Sequence, residues 1–259
     1  MKVCVTPREG LYQVLAAVFN AFEREPAIAE LGVLKGENAL RMQQTFAPES
    51  LMLVDSWSAD SQKAYSPFET LPAWVSPPET FAYYYGGPLD DPATWERLYQ
   101  NCIDKFVDQP NVQIVRKDSH SAYEDVRQRI AGRGLDLLYV DASHQYEYVL
   151  RDLLTWQDLV RPDGVMMLND CCYSRKGAMQ NLGVLEALVN FLKRSDFVPV
   201  AMTNTDFSDV VLVRKGSYMI EAIDTALANS DVPFVELPPQ LLGAARVVNG
   251  HHRANLSFC

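Results

Sequence analysis

The stretch from Asp136 to Asp170 most constrains what this chain can fold into. Leu135 to Val140 is apolar except for Asp136, which suits a strand buried on both faces of a parallel sheet. Val149, Leu150, Leu153, Leu154 and Val160 follow at helical spacing. Arg161-Pro162-Asp163-Gly164 has the chemistry of a turn that ends a helix, and Val165 to Leu168 is the next strand. The unit is strand, helix, strand. Ligands of open α/β sheets gather outside the carboxyl ends of the strands. Asp141, His144, Asn169 and Asp170 fall at those ends and form the candidate site.

The flanking chain repeats the alternation. Thr6-Pro7-Arg8-Glu9 opens a helix over 7–24, with Thr6 as N-cap, Pro7 at the first position and Glu9 completing a capping box. Its apolar face (Leu11, Val14, Leu15, Val18, Phe19, Phe22) is expected on a sheet edge or another subunit. Ala27 to Gly32 reads as a strand, Gly32 to Gly36 as a turn, Glu37 to Phe46 as a helix and Leu51 to Asp55 as a strand ending in an acid. An acid there can accept hydrogen bonds from ribose hydroxyls. Residues 57–93 break the pattern with eight aromatics, Trp57, Tyr84 and Tyr85 among them, and six prolines. An ordered lid over the site fits that composition, and a satellite hydrophobic cluster or subunit contact fits it as well. Beyond a helix over 94–106, Val112 to Val115 is a strand, Ser121 and Glu124 suggest a capping box, and strands at Phe197 to Met202 and Val210 to Val213 close the pattern. Residues 217–259 form a C-terminal extension that could cover the site or build an oligomer.

The glycine turn, Glu30-Leu-Gly32-Val-Leu-Lys-Gly36, is not the GxGxxG of a dinucleotide fold. With Asp55 behind it and Asp118-Ser119 after the third strand, it resembles motif I of class I S-adenosylmethionine-dependent methyltransferases. Ala29 to Asn38, Leu138 to His144, Leu159 to Gly164 and Gly183 to Leu188 together resemble the macrocin O-methyltransferase and cephalosporin-hydroxylase-like branch, over roughly residues 28–214. That resemblance implies a Rossmann-like α/β fold with a seven-stranded, mostly parallel sheet, an antiparallel last strand and helices on both faces. It implies S-adenosylmethionine as donor, held by Glu30, Gly32, Gly36, Asp55, Asp118, Ser119 and Asp141. It also implies, for many members, a divalent metal, and a sugar or secondary-metabolite hydroxyl as acceptor.

Methyl transfer is an in-line displacement at a sulfonium, so the protein must align the acceptor, remove its proton and exclude water. A hydroxyl needs a base or a metal that lowers its pKa. Asp141, Asn169 and Asp170 offer hard oxygen ligands of the kind that suit Mg²⁺ or Ca²⁺. Methyltransferases of the catechol type use a similar set of acids and an amide. The plainer reading is that these acids cap loops or helix starts. His144 is the candidate base, against a loop histidine that merely fixes the turn from Asp141. His120 is placed near the adenine or on the surface, His251 and His252 in solvent, and Lys35 toward water. Cys171-Cys172 lacks the partners of a zinc set and reads as core or loop thiols. Arg175-Lys176 could hold an anionic group on the acceptor, or be a solvated loop.

A net charge of -10 over 259 residues argues against a nucleic-acid partner. No run reaches membrane-spanning length and no signal-peptide pattern is seen, so a cytoplasmic protein with reduced thiols is expected. The expected organisation is one methyltransferase domain over 1–259 acting on a small-molecule acceptor. Two rival readings are an NAD-dependent oxidoreductase, against which the missing GxGxxG counts, and a non-catalytic binding module that keeps the fold.

Overall fold

The computed structural model describes residues 1–65, 75–171, 183–249 and 254–258. Its strands are β1 (Lys2–Cys4), β2 (Ala27–Leu31), β3 (Ser50–Asp55), β4 (Val112–Arg116), β5 (Leu135–Val140), β6 (Val160–Leu168), β7 (Phe197–Thr203), β8 (Val210–Arg214), β9 (Phe234–Glu236), β10 (Arg246–Asn249) and β11 (Ala254–Ser257). The helices are α1 (Arg8–Ala21), α2 (Glu37–Phe46), α3 (Ala59–Tyr65), α4 (Pro78–Tyr85), α5 (Pro92–Phe106), α6 (Ser119–Arg129), α7 (Tyr146–Trp156), α8 (Val184–Arg194) and α9 (Met219–Ala228). Phe68, Trp74, Cys172, Arg175, Lys176, His251 and His252 lie outside the described residues.

The apolar runs form strands because each can bury both faces. In β5 all six residues are buried. Leu138 and Val140 pack on one side of the sheet, and Leu137 and Tyr139 on the other. The sheet order is β4-β3-β2-β5-β6-β8-β7-β1-β9. β4 to β6 pair in parallel through β3, β2 and β5, and β8 runs antiparallel to both its neighbours. This is the expected α/β architecture with two strands more than seven. Lys2 to Cys4 pairs parallel with Ala201 to Thr203, and β9 pairs antiparallel with β1. Three-residue strands carry too little periodicity to announce themselves. Their pairing is supported by Lys2, buried between Asp224 and Glu236.

Helices cover both faces. α6, α7 and α8 pack on one, and α1, α2, α5 and α9 on the other. α1 therefore lies on the sheet face between α2 and α9 instead of on an edge or another subunit. Burying Leu11, Tyr12, Val14, Leu15, Val18 and Phe19 there stabilises the fold by roughly 1.5–3 kcal/mol per large side chain. The N-cap of α1 is Pro7, without a side-chain bond, so Thr6 does not cap it. Thr6 lies over Gly10, where an added Cβ would stand 2.0 Å from its Oγ1. The expected cap of α6 is also moved. Asp118 accepts from the backbone N–H groups of His120 and Ser121, while Glu124 pairs with Arg127. The C-terminal extension crosses from α9 on one face to Leu242 on the other, by way of β9 at the sheet edge.

Arg161 to Gly164 does not end a helix. It bulges within β6, so that Val160 faces Leu135 and Val165 faces Leu137. The bulge explains the acid inside the apolar run. Asp136 accepts from the Ala27 N–H at 3.0 Å and from Arg24 at 3.3 Å. Arg24 also pairs with Asp163, which Arg161 approaches at 3.2 Å. Partial burial disfavours the Asp163 charge, yet the hydrogen bonds from Arg24 and Arg161 bring its pKa down to about 2. A depressed carboxylate pKa contributes stability above its unfolded value and loses it as pH falls through the folded one. Asp163→Asn should cost about 1–2 kcal/mol at neutral pH after allowance for solvent screening. Urea unfolding at several pH values checks this: the deficit should be full above about pH 4 and fade toward pH 2.

Candidate active site

The carboxyl ends of β2, β3, β5 and β6 place the expected residues at one rim of the sheet. The ladder continues past the strands. The Asp141 N–H donates to Leu31 O at 2.8 Å and the Asn169 N–H to Val140 O at 3.1 Å. Gly32 follows β2 with φ +83, and a Cβ on it would lie 1.9 Å from Asp141 O. This glycine is required by the neighbouring backbone, and it brings the glycine turn against the acidic loop. Gly36, at φ +75, packs against Cys102 and Phe106 of α5.

Asp55 has a structural task in this turn. Its Oδ2 accepts from the Val33 and Leu34 N–H groups, both at 2.9 Å, and its Oδ1 from the Trp57 N–H at 2.9 Å. A carboxylate has about four lone-pair positions, so about one remains for a ribose hydroxyl. Trp57, expected in the lid, is buried instead. Its indole N–H donates to Leu34 O at 2.7 Å and its ring packs 5.0 Å from Tyr99. Lys35 does not point to water but donates to Tyr84 O at 3.0 Å, tying the turn to α4. On α4, Tyr84 stays 60% exposed; partial desolvation and the charges of Asp141, Glu37 and Asp170 raise its pKa. Lys35 Nζ also lies 5.2 Å from the Tyr84 ring, which joins the aromatic segment to the glycine turn.

Glu30 is 1% exposed beneath the turn. Its Oε1 accepts from Asn38 Nδ2 at 2.9 Å, and its Oε2 has no partner among the described residues. Burial pushes its pKa up to about 8. Asn38 Oδ1 in turn accepts from the Tyr12 hydroxyl at 2.9 Å and from Arg8 at 3.3 Å. At the opposite end of the rim, His144 Nε2 lies 3.1 Å from Asp170 Oδ2 and 3.6 Å from Asp141 Oδ1. Asp170 is almost fully buried and held at φ 58, a left-handed conformation that costs about 1–3 kcal/mol outside glycine.

Asn169 departs from the expected metal set. Its Oδ1 accepts from Arg8 Nη2 at 2.8 Å, while its Nδ2 donates to Asp170 Oδ1 at 3.0 Å and Asp141 Oδ1 at 3.3 Å. Asp141, His144 and Asp170 remain as a cluster whose ligand atoms lie within 4.8 Å of one another. Two carboxylates and an imidazole make a poor match for Mg²⁺, which favours an octahedron of oxygens. The adenine-side residues are also engaged. Asp118 caps α6, the Ser119 hydroxyl lies 2.8 Å from both oxygens of the buried Asp152, and His120 is exposed. Cys171 is buried and directs its thiol to Leu168 O at 3.0 Å, a core role.

Arg8, Tyr12, Asn38, Tyr139 and Asp209 belong to the site and were not foreseen. Asp209 comes from the polar turn before β8, accepts from the Tyr139 hydroxyl at 2.5 Å and lies 3.5 Å from Arg8 Nε. Burial lifts its pKa to about 7. Two signals were present: a cation in the first turn of α1, against the helix dipole, and hydroxyls on otherwise apolar faces. The turn predicts its own test. Asp55→Ala strands three backbone donors and should lower stability by about 2–4 kcal/mol, and Asp55→Asn by less. Denaturant unfolding of the unliganded variants measures both.

The methyltransferase-domain family matches residues 29–171, more than half of the chain. No curated protein sequence matches it. Among solved structures, the O-methyltransferase TomG from Streptomyces achromogenes, involved in tomaymycin synthesis and in complex with SAM, superposes with a TM-score of 0.50. It shares 11% identity over 81% of this chain and 80% of that one. An O-methyltransferase structure from Klebsiella pneumoniae, itself assigned only provisionally, gives a TM-score of 0.48 at 12% identity, covering 79% of this chain and 80% of that one. The TomG match shows the Rossmann-like α/β methyltransferase fold. The chain belongs to the methyltransferase-domain family, whose donor is S-adenosylmethionine.

Proposed function

We propose that the protein transfers a methyl group from S-adenosylmethionine to a hydroxyl oxygen of a small molecule, a sugar or secondary metabolite of the kind associated with the macrocin O-methyltransferase-like branch. The observation that carries this reading is the pairing, at one rim, of an orphaned buried acid under the glycine turn with an imidazole held by carboxylates. Glu30 Oε2 is an acceptor that the donor's α-ammonium would satisfy. The remaining lone pair of Asp55 would take a ribose hydroxyl. TomG is an O-methyltransferase solved with SAM, which supports oxygen as the acceptor.

When bound, S-adenosylmethionine supplies a methyl group already activated on a sulfonium. The chain must supply alignment, dryness and proton removal. Asp170 holds the His144 Nε2–H, fixing the tautomer and stabilising the imidazolium that forms. His144 is then the group that takes the hydroxyl proton. The non-catalytic alternative draws on Asp55, whose oxygens already serve the turn.

Calorimetry with S-adenosylmethionine and S-adenosylhomocysteine is the direct test: both should bind, and no binding at high protein concentration sinks the proposal. His144→Gln should lower turnover by about 10²–10⁴ while donor affinity stays near that of the wild type. Binding without transfer to any of a broad set of acceptors would support the non-catalytic module. Glu30→Gln separates binding from stability. Its pKa is raised from the ordinary 4.5 to about 8, so stability falls as pH rises between those values and levels off above them. The amide variant should be more stable at pH about 8.5 by about 1 kcal/mol or more, yet bind the donor about tenfold more weakly. Thermal melts beside the same calorimetry decide.

A further inference from the structure

We infer that Arg8 is a positioning residue which, acting through Asn169, organises the site's two carboxylates in the place a divalent cation would take. This rests on reading Asp141 to Asp170 as the acceptor end of a methyltransferase site. Arg8 stands in the first turn of α1, where the helix dipole repels a cation. Its surroundings hold it there. Nη2 donates to Asn169 Oδ1 at 2.8 Å, Nη1 to Asn38 Oδ1 at 3.3 Å, and Nε lies 3.5 Å from Asp209 Oδ2. The Tyr139 ring lies 5.6 Å from the guanidinium carbon.

That fork fixes the amide of Asn169. With Oδ1 against the guanidinium, Nδ2 must face the other way, where it donates to both Asp170 and Asp141. Turning the amide over would set donor against donor, since a guanidinium cannot accept. A cation bridging the two carboxylates through their Oδ1 atoms would have to displace both amide hydrogen bonds. It would gain no oxygen from Asn169, and it would sit in the field of the guanidinium behind it. The relay already does what the cation would do: it draws two like charges together and keeps their lone pairs aimed. Charge-assisted bonding from Arg8 polarises the amide and strengthens its two outgoing bonds.

Mg²⁺ and Mn²⁺ titrations into the purified full chain test the relay, read by calorimetry. The wild type should bind either ion at roughly millimolar strength or weaker. Asn169→Asp alone leaves Arg8 to pair with the new carboxylate, so affinity should rise by no more than about threefold. Arg8→Met with Asn169→Asp frees an all-acid set and should bind about tenfold or more tightly than the wild type. Arg8→Lys keeps a positive charge and should stay within about twofold of it. Micromolar binding by the wild type overturns the inference. So does a double variant no better than Asn169→Asp alone. S-adenosylmethionine binding is measured on the same samples. Its retention shows that a variant is folded, and its absence in the wild type defeats the methyltransferase reading rather than the relay.

Discussion

The site depends on one backbone contact, Gly32 against the carbonyl of Asp141. A first side-chain carbon at Gly32 would stand 1.9 Å from that oxygen. The close approach joins the glycine turn after β2 to the acidic loop after β5. It also continues the sheet ladder, since the Asp141 N–H reaches Leu31 O. Asp55 then locks the turn from the other side through three backbone amides. The turn is thus formed before any ligand arrives, which lowers the ordering cost of binding.

Among the described residues, more carboxylates than cations gather around that contact. Glu30, Asp141, Asp170 and Asp209 converge, and Arg8 answers them with its guanidinium. Burial decides how each acid behaves. Glu30 and Asp209 are forced toward the neutral form, and Asp209 is hydrogen-bonded to Tyr139. Asp170 is held by the Asn169 amide despite its strained backbone. Groups at the rim are thereby stiffened by a polar network below them.

The strand-helix-strand stretch was legible because buried parallel strands have a distinctive composition, and its ends fell where a sheet of this kind binds ligands. Asp136 looked like a flaw in that run and proved to be the partner of Arg24 and Ala27. What the sequence concealed depends on long-range partners. Trp57 stood in an aromatic run that suggested a lid, but its N–H meets Leu34 O and it is buried. Arg8 sat in an amphipathic helix, and only the fold brings it to Asn169. Asn169 itself was read by ligand type, and its orientation is set by a residue 161 positions away.

That separation has a consequence for how the protein folds. Arg8 is parted from Asn169 and Asp209 by most of the sheet's strands. Local contacts such as β2 with β3 can form long before. Closing the loop to Asp209 must wait for β8 to seat beside β6. The rim at Arg8 is therefore completed only once β8 is in place. A chain cut after residue 171 would own every residue of the matched family region and still lack Asp209 to complete it.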